Sequence, residues 1–184
     1  DPAHISVTHG DTGLTPFSTG TYASRSIVMA GGAVSCASKI LIERIMRIGA
    51  HLMQVGQADV RVADGRVVGP KSSVDFREIG RVWYKNPEEL PANVDMGGVE
   101  VTTGYRPNPD TGTFAYSSHA VVVTLDPDTG VVELLDYVVV EDCGTMVNPM
   151  IVDGQTYGGV AQGIGTALYE EVPYDSEGQP LAST

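Results

Sequence analysis

Cysteine is scarce in this chain. Cys36 and Cys143 are the only two among 184 residues, and they lie too far apart for a CxxC pair or a four-thiolate cluster. Iron–sulfur and zinc sites are therefore not built from this chain's own thiols, and both cysteines are expected to be small buried hydrophobes. Basic residues are also few, 11 Lys and Arg against 23 Asp and Glu, giving a formal net charge of −12 and a pI near 4.5. Such a chain lacks the positive field that draws a protein to phosphodiester or anionic lipid, so nucleic acid and membrane are not expected partners. Long apolar runs are missing: Ala120 to Val123 and Tyr137 to Val140 fall far short of the ~20 residues that cross a bilayer. The four histidines, His4, His9, His51 and His119, show neither metal-site spacing nor an HExxH pattern, and are expected to be satisfied where they sit. No G-x-S-x-G elbow occurs, so conventional hydrolytic chemistry has no visible seat.

What the chain has in excess is glycine, 22 of its residues, against an average near 7%. Its length and its 42% apolar content suit one ordinary globular domain. Alternation around Ile5 and Val7 predicts a short strand over His4 to His9. Gly10 to Ser26, broken by glycines and Pro16 and dense in Ser and Thr, reads as a hydroxyl-rich loop. From Ala30 the apolar residues Val34, Ala37, Leu41, Ile45, Ile48 and Leu52 step by threes and fours along one helix face. Lys39, Glu43 and Arg47 lie opposite, with Glu43 and Arg47 spaced to pair. The Asp64-Gly65 step between Val60 to Val62 and Val67 to Val68 is a hairpin signal.

Asp75 and Glu78 predict a capping box opening a second helix, with Phe76, Ile79 and Val82 or Trp83 inward. Asn86 to Thr113, with Pro87, Pro91, Pro107 and Pro109, reads as a surface excursion holding one short strand near Val99 to Thr103. Ala120 to Leu125 and Val131 to Glu141 are strands joined by turn residues, and their consecutive apolar positions predict a sheet covered on both faces. Helical periodicity from Asp153 to Glu171 runs through Tyr157, Val160, Ala161, Ile164 and Leu168. Each internal glycine there costs about 1 kcal/mol relative to Ala, which calls for close approach by a backbone, a second helix or a ligand. Gln155 and Gln162 fall on the glycine-lined side.

Gly159, Gly163 and Gly165 mimic part of a dinucleotide fingerprint, but they lie inside the helical pattern and not in a strand-to-helix turn, which argues against nicotinamide binding. The Ser18 to Ser26 stretch, STGTYASRS, offers hydroxyls, flexible backbone and Arg25 ahead of a helix, where an anion can sit. On local grounds alone such a stretch is usually a cap or turn.

Three stretches taken together change that reading. HGDTGLTPFSTGTYASRSIVMAGGAV, AVVVTLDPDTGVVELLDYVVVEDCGTMVNPMIVDGQ and GGVAQGIGTALYEE resemble the molybdenum-cofactor-binding large subunit of the xanthine dehydrogenase, aldehyde oxidase and aerobic carbon monoxide dehydrogenase family. The likeness covers nearly the whole chain and is weakest over Asn86 to Thr113. It implies that the metal hangs on the dithiolene of a pterin, as molybdopterin or its cytosine dinucleotide, with no ligand from the protein. It implies that Gly20, Thr21, Tyr22, Ala23, Ser24, Arg25 and Ser26 pack along the cofactor, with the backbone at Tyr22 and Ala23 nearest the metal and Ser24, Arg25 and Ser26 meeting polar and phosphate oxygens. Gln162 is similar to the family's pterin-bonding glutamine, and Gln155 is a second contact.

The resemblance further implies an α+β fold, with a mixed sheet packed against the Ala30 and Gly159 helices, forming residues 1–184 of a single partial domain. The implied activity is oxidation of an aldehyde, N-heterocycle or similar small molecule with oxygen from water. The Gly20 to Ser26 loop lacks the cysteine of the true carbon monoxide dehydrogenases, which puts that substrate in doubt. The family's catalytic glutamate and an upstream glycine-rich cofactor stretch find no match, so the chain is expected to be an inactive piece of a longer subunit. Expected partners are the rest of that subunit, iron–sulfur and FAD subunits or domains, and a small-molecule substrate, in the cytoplasm. The competing expectation is a non-catalytic α+β module that binds an anion or small ligand.

Overall fold

The computed structural model describes residues 2–108 and 114–182. The chain is α+β and falls into two compact units, Asp1–Thr113 and Phe114–Thr184. In the first unit, a π-helical turn over Ile27–Gly31 leads into helix α1 (Gly32–Met53). Two strands, β1 (Arg61–Ala63) and β2 (Arg66–Val68), form the expected hairpin. Its turn residues Asp64 and Gly65 both have positive φ, 48° and 71°, as a two-residue primed turn requires. A third strand, β3 (Ser73–Asp75), adds antiparallel to β2 and runs straight into helix α2 (Phe76–Lys85). The Asp75 side chain caps that helix by accepting the Glu78 N–H at 2.8 Å. Glu78 does not reach back to close the box. Its carboxylate takes both nitrogens of Arg81, at 2.7 and 2.8 Å, an i, i+3 pair that holds the Glu78 carboxyl below its ordinary range.

Ile45, Ile48, Ala50, Val60, Val67, Ile79, Trp83 and Val94 make the core of this unit. Gly49 is the closest approach between α1 and the sheet: a Cβ there would lie 2.7 Å from that of Val67. Gly49→Ala is expected to destabilise the full-length subunit by about 1–3 kcal/mol through overpacking, read as a lowered melting temperature; an unchanged value would contradict the packing.

Arg44 is the residue that sequence periodicity missed. It lies among the inward positions of α1 and is only 7% exposed, yet it is fully engaged. Its guanidinium pairs with Asp95 and donates to the carbonyls of Gly98 and Glu100. The 95–100 segment is thereby tied to the helix. Arg44 beside Asp95, with the Gly97 N–H also donating, holds the Asp95 carboxyl below its ordinary range. A carboxylate whose folded pKa is lowered contributes stability above its unfolded value, and that contribution is lost as pH falls through the folded one. Amide exchange over residues 95–100 should therefore rise below about pH 4, and Asp95→Asn should abolish that dependence.

The second unit pairs β4 (Tyr116–Leu125) with β5 (Val132–Asp142) in one antiparallel ribbon, with a register shift at Val122/Val123, followed by helix α3 (Pro149–Leu168). Among the described residues the strands thus form two antiparallel sheets, where a single mixed sheet was expected. The physical reason is that successive strands are joined by short turns, and a strand that returns through a short turn pairs antiparallel. α3 half-buries Val152, Thr156, Val160, Ile164 and Gly165, of which the first four form a stripe at intervals of four. That stripe lies along Tyr137, Val139 and Glu141 of β5, and Thr156 donates to Glu141 at 2.5 Å.

Several local expectations differ from the structure. Residues 5–9 and 99–103 form no strand, since neither finds a partner among the described residues. Pro2–His4 is instead a short 3-10 turn. Phe76 is 39% exposed at the helix start, so it does not face inward. Arg47 donates to the Asn93 carbonyl at 3.0 Å in place of the anticipated pair with Glu43. Cys36 is half-buried and Cys143 exposed, so the latter is no buried hydrophobe. Every residue of β4 is exposed, so the ribbon is not covered on both faces. Pro109 and the rest of the expected excursion to Thr113 lie outside the described residues.

Candidate functional site

Two groups of residues singled out by sequence are each gathered locally by the fold. The first is the Gly20 to Ser26 loop. Gly20 has φ 85°, and Ala23 and Ser24 have φ 52° and 49°. Two consecutive non-glycine residues in the left-handed region cost roughly 1–2 kcal/mol each. Strain of this kind gathers where backbone must be presented to a ligand.

The loop is held by its own side chains. Arg25 donates to the Tyr22 hydroxyl at 2.8 Å, and its guanidinium lies 4.6 Å from the centre of the Tyr22 ring. The Ser26 hydroxyl donates to Thr21 at 3.3 Å, and the Gly20 N–H to Ser18 at 3.2 Å. Backbone bonds from Arg25 to Tyr22 and from Met29 to Arg25 then wind the chain into the π turn ahead of α1. Such turns mark sites where helix geometry is bent to a purpose. Tyr105 packs so closely on Gly32 that a Cβ there would overlap its ring. Neither Tyr105 nor the left-handed pair was foreseen. The Gly31-Gly32 step was the available sign of the first; the second has none, because nothing marks Ala or Ser as left-handed.

The second group is on α3. At 100° per residue, Gly154, Gln155, Gly158 and Gln162 lie on the side opposite the stripe that meets β5. A Cβ at Gly154, Gly158, Gly159 or Gly163 would meet nothing within 4 Å. These glycines are thus not demanded by packing inside their own unit. An apolar helix with no buried residue and a bare-backboned side has most of its surface left for something beyond the unit. Thr166 folds its hydroxyl back onto the Gln162 carbonyl at 3.0 Å.

The donor sets differ usefully. The loop offers hydroxyls, presented backbone and a cation, which suit phosphate and other anionic oxygens. The helix offers amides, which donate and accept at once and suit the edge of a heterocycle. Among the described residues, no three His, Cys, Asp or Glu side chains gather as a metal site. The dinucleotide reading fails as expected, because Gly159, Gly163 and Gly165 are inside α3.

Comparison with known proteins adds identity to this geometry. The family model described as the molybdopterin cofactor-binding domain matches residues 1–184. The nicotine 6-hydroxylase large subunit of Paenarthrobacter nicotinovorans is 35% identical over 95% of this chain and 21% of its own length. The carbon monoxide dehydrogenase large chain of Hydrogenophaga pseudoflava is 31% identical over 98% of this chain and 22% of its own. Among solved structures, quinoline 2-oxidoreductase from Pseudomonas putida 86 matches with a TM-score of 0.79 at 36% identity, covering 94% of this chain and 22% of that one. The chain therefore spans about a fifth of the length of the relatives it matches.

Proposed function

The chain belongs to the molybdopterin cofactor-binding domain family, and on that footing we propose that Gly20 to Ser26 forms one cofactor-binding wall and the Gln155/Gln162 side of α3 another, in a longer molybdenum hydroxylase subunit. The observation that carries the reading is the unexplained glycine surface of α3, open at Gly154, Gly158 and Gly159 and flanked by two amides. The residues fit the group. A pterin edge alternates donors and acceptors, which Gln162 matches, and its phosphate calls for the cation and hydroxyls of the loop. No protein ligand to the metal is required, because the organic dithiolene supplies the sulfurs.

When bound, the cofactor supplies a redox metal able to oxidise a small molecule with oxygen drawn from water. The chain's own part is to bind and orient. Arg25, steadied by Tyr22, fixes the anionic end. The strained Ala23 and Ser24 backbone closes over the cofactor without a bulky side chain in the way. Gln162 sets the tilt of the pterin.

The family match spans both units. The substrate class is an N-heterocycle or aldehyde. Support comes from relatives named for nicotine and quinoline and from a Gly20 to Ser26 loop that contains no cysteine. Electrons leave through iron–sulfur and FAD partners, consistent with relatives described as a large chain or as a complex subunit. Alone, the chain is inactive. No helix among the described residues is long and apolar enough to cross a membrane, and we place the parent subunit in the cytoplasm.

Gln162→Ala in the full-length subunit tests the amide wall. Pterin content should fall about 5- to 10-fold, the worth of one hydrogen bond at about 1 ± 0.5 kcal/mol plus the cost of leaving the pterin edge unpaired. Full content would remove Gln162 from the site.

A further inference from the structure

All 11 Lys and Arg residues of the chain precede Phe114, whereas 11 of the 23 acidic residues follow it. The second unit therefore holds no lysine or arginine and carries almost all of the net charge. Its ribbon is also uncovered. Tyr137, Val139 and Glu141 point toward α3. The alternate positions point away, and the pairings Ala120↔Val138, Ser118↔Val140 and Val122↔Asp136 place them together on the open face. Val122, Val138 and Val140 are 56%, 49% and 68% exposed there. Glu133 and Asp136 stand at one end of this apolar strip and Asp142 at the other.

A two-stranded ribbon with open edges and a bare apolar face is marginal by itself and calls for a cover. Charge narrows the choice. A second copy of this unit, nucleic acid or an anionic bilayer would each bring more negative charge to the same place. We propose that the open face is covered by a basic segment with an apolar centre, belonging to the same subunit outside residues 1–184. Valines meet apolar side chains in the middle, and Glu133, Asp136 and Asp142 pair with cations at the rim. Two observations favour the same polypeptide over a separate one. About four-fifths of the relatives' length lies outside the matched part, and an apolar strip of this kind resembles a core cut in half, the mark of a permanent interface. The inference rests on the reading of this chain as part of a longer cofactor-binding subunit.

Zero-length carbodiimide coupling of the purified full-length subunit, in its native complex, tests it. The reagent joins carboxylates only to amines in contact, and the second unit has no lysine of its own, so every link from Glu133, Asp136 or Asp142 names a neighbour. The expected links run to lysines of the same polypeptide outside residues 1–184. They cannot form in a Glu133→Gln/Asp136→Asn/Asp142→Asn variant, which serves as the blank for assigning them, and the ribbon amides of that variant should exchange faster as the charge complementarity is lost. Links confined to Lys39, Lys71 or Lys85, links to a separate subunit, or no links at all would overturn the proposal. Molybdenum and pterin assayed on the same sample keep the two readings apart: the expected links in a preparation that never contains pterin would refute the cofactor assignment alone.

Discussion

Full-length subunit carrying Arg25→Ala is expected to lose at least about 90% of its molybdenum and pterin. A charge-assisted hydrogen bond contributes about 1.5–3 kcal/mol, and each 1.4 kcal/mol is tenfold in affinity. Arg25 is poised for that role, held over the Tyr22 ring at 4.6 Å and bonded to its hydroxyl at 2.8 Å. Removing the guanidinium also frees Tyr22, so the strained backbone at Ala23 and Ser24 loses its brace. Two controls separate binding from loop collapse. Arg25→Lys keeps the charge but loses the planar fork and should recover only part of the content. Tyr22→Phe keeps the ring beneath the guanidinium while removing the hydroxyl, and should cost much less. If Arg25→Ala retains full cofactor, Arg25 is a loop brace and nothing more.

Gly158→Leu should produce the second large effect, with an opposite sign on stability. In the cofactor-free subunit the substitution meets open space within 4 Å of the new Cβ and replaces a poor helix former by a good one, which should strengthen α3 by about 0.8–1 kcal/mol. The same side chain would stand beside Gln162, one turn away, and fill the space assigned to the pterin. Cofactor content should fall at least about tenfold, a cost of ~1.4 kcal/mol or more, with Gly158→Ala intermediate. A side of α3 that packs instead on another helix would give the other pattern, with apo stability falling alongside cofactor content.

Much of the fold was legible because its long elements carry strong periodicity. α1, the Asp64-Gly65 hairpin, the β4 and β5 ribbon and α3 all appear close to where apolar spacing and turn residues placed them. The failures share a cause: a local pattern says nothing about what lies opposite. Ile5 and Val7 alternate but have no partner strand among the described residues. Consecutive valines in β4 and β5 suggested two covered faces, yet that signal reports what the chain is meant to contact, and the structure leaves β4 exposed throughout and half-buries only Val132, Tyr137 and Val139 of β5. β3 has only three residues, too few for a period. Arg44 was readable in principle, as a cation set between Leu41, Ile45 and Ile48 on the inward side of α1, but periodicity counts apolar positions and passes over the charge among them.

The candidate site divides in the same way. Its residue types and its glycine surplus were visible in the sequence, and the fold gathers them into a braced loop and a bare helix side. The left-handed Ala23 and Ser24 were not visible, because neither residue type marks a positive φ in the sequence.

A structure of the full-length subunit with its cofactor tests the central claim most directly. The account requires the cofactor to lie within hydrogen-bond distance, about 3.5 Å or less, of the Tyr22 to Ser26 segment through its anionic end and of the Gln162 amide through its pterin. A cofactor that meets only one of these walls, or neither, would contradict it.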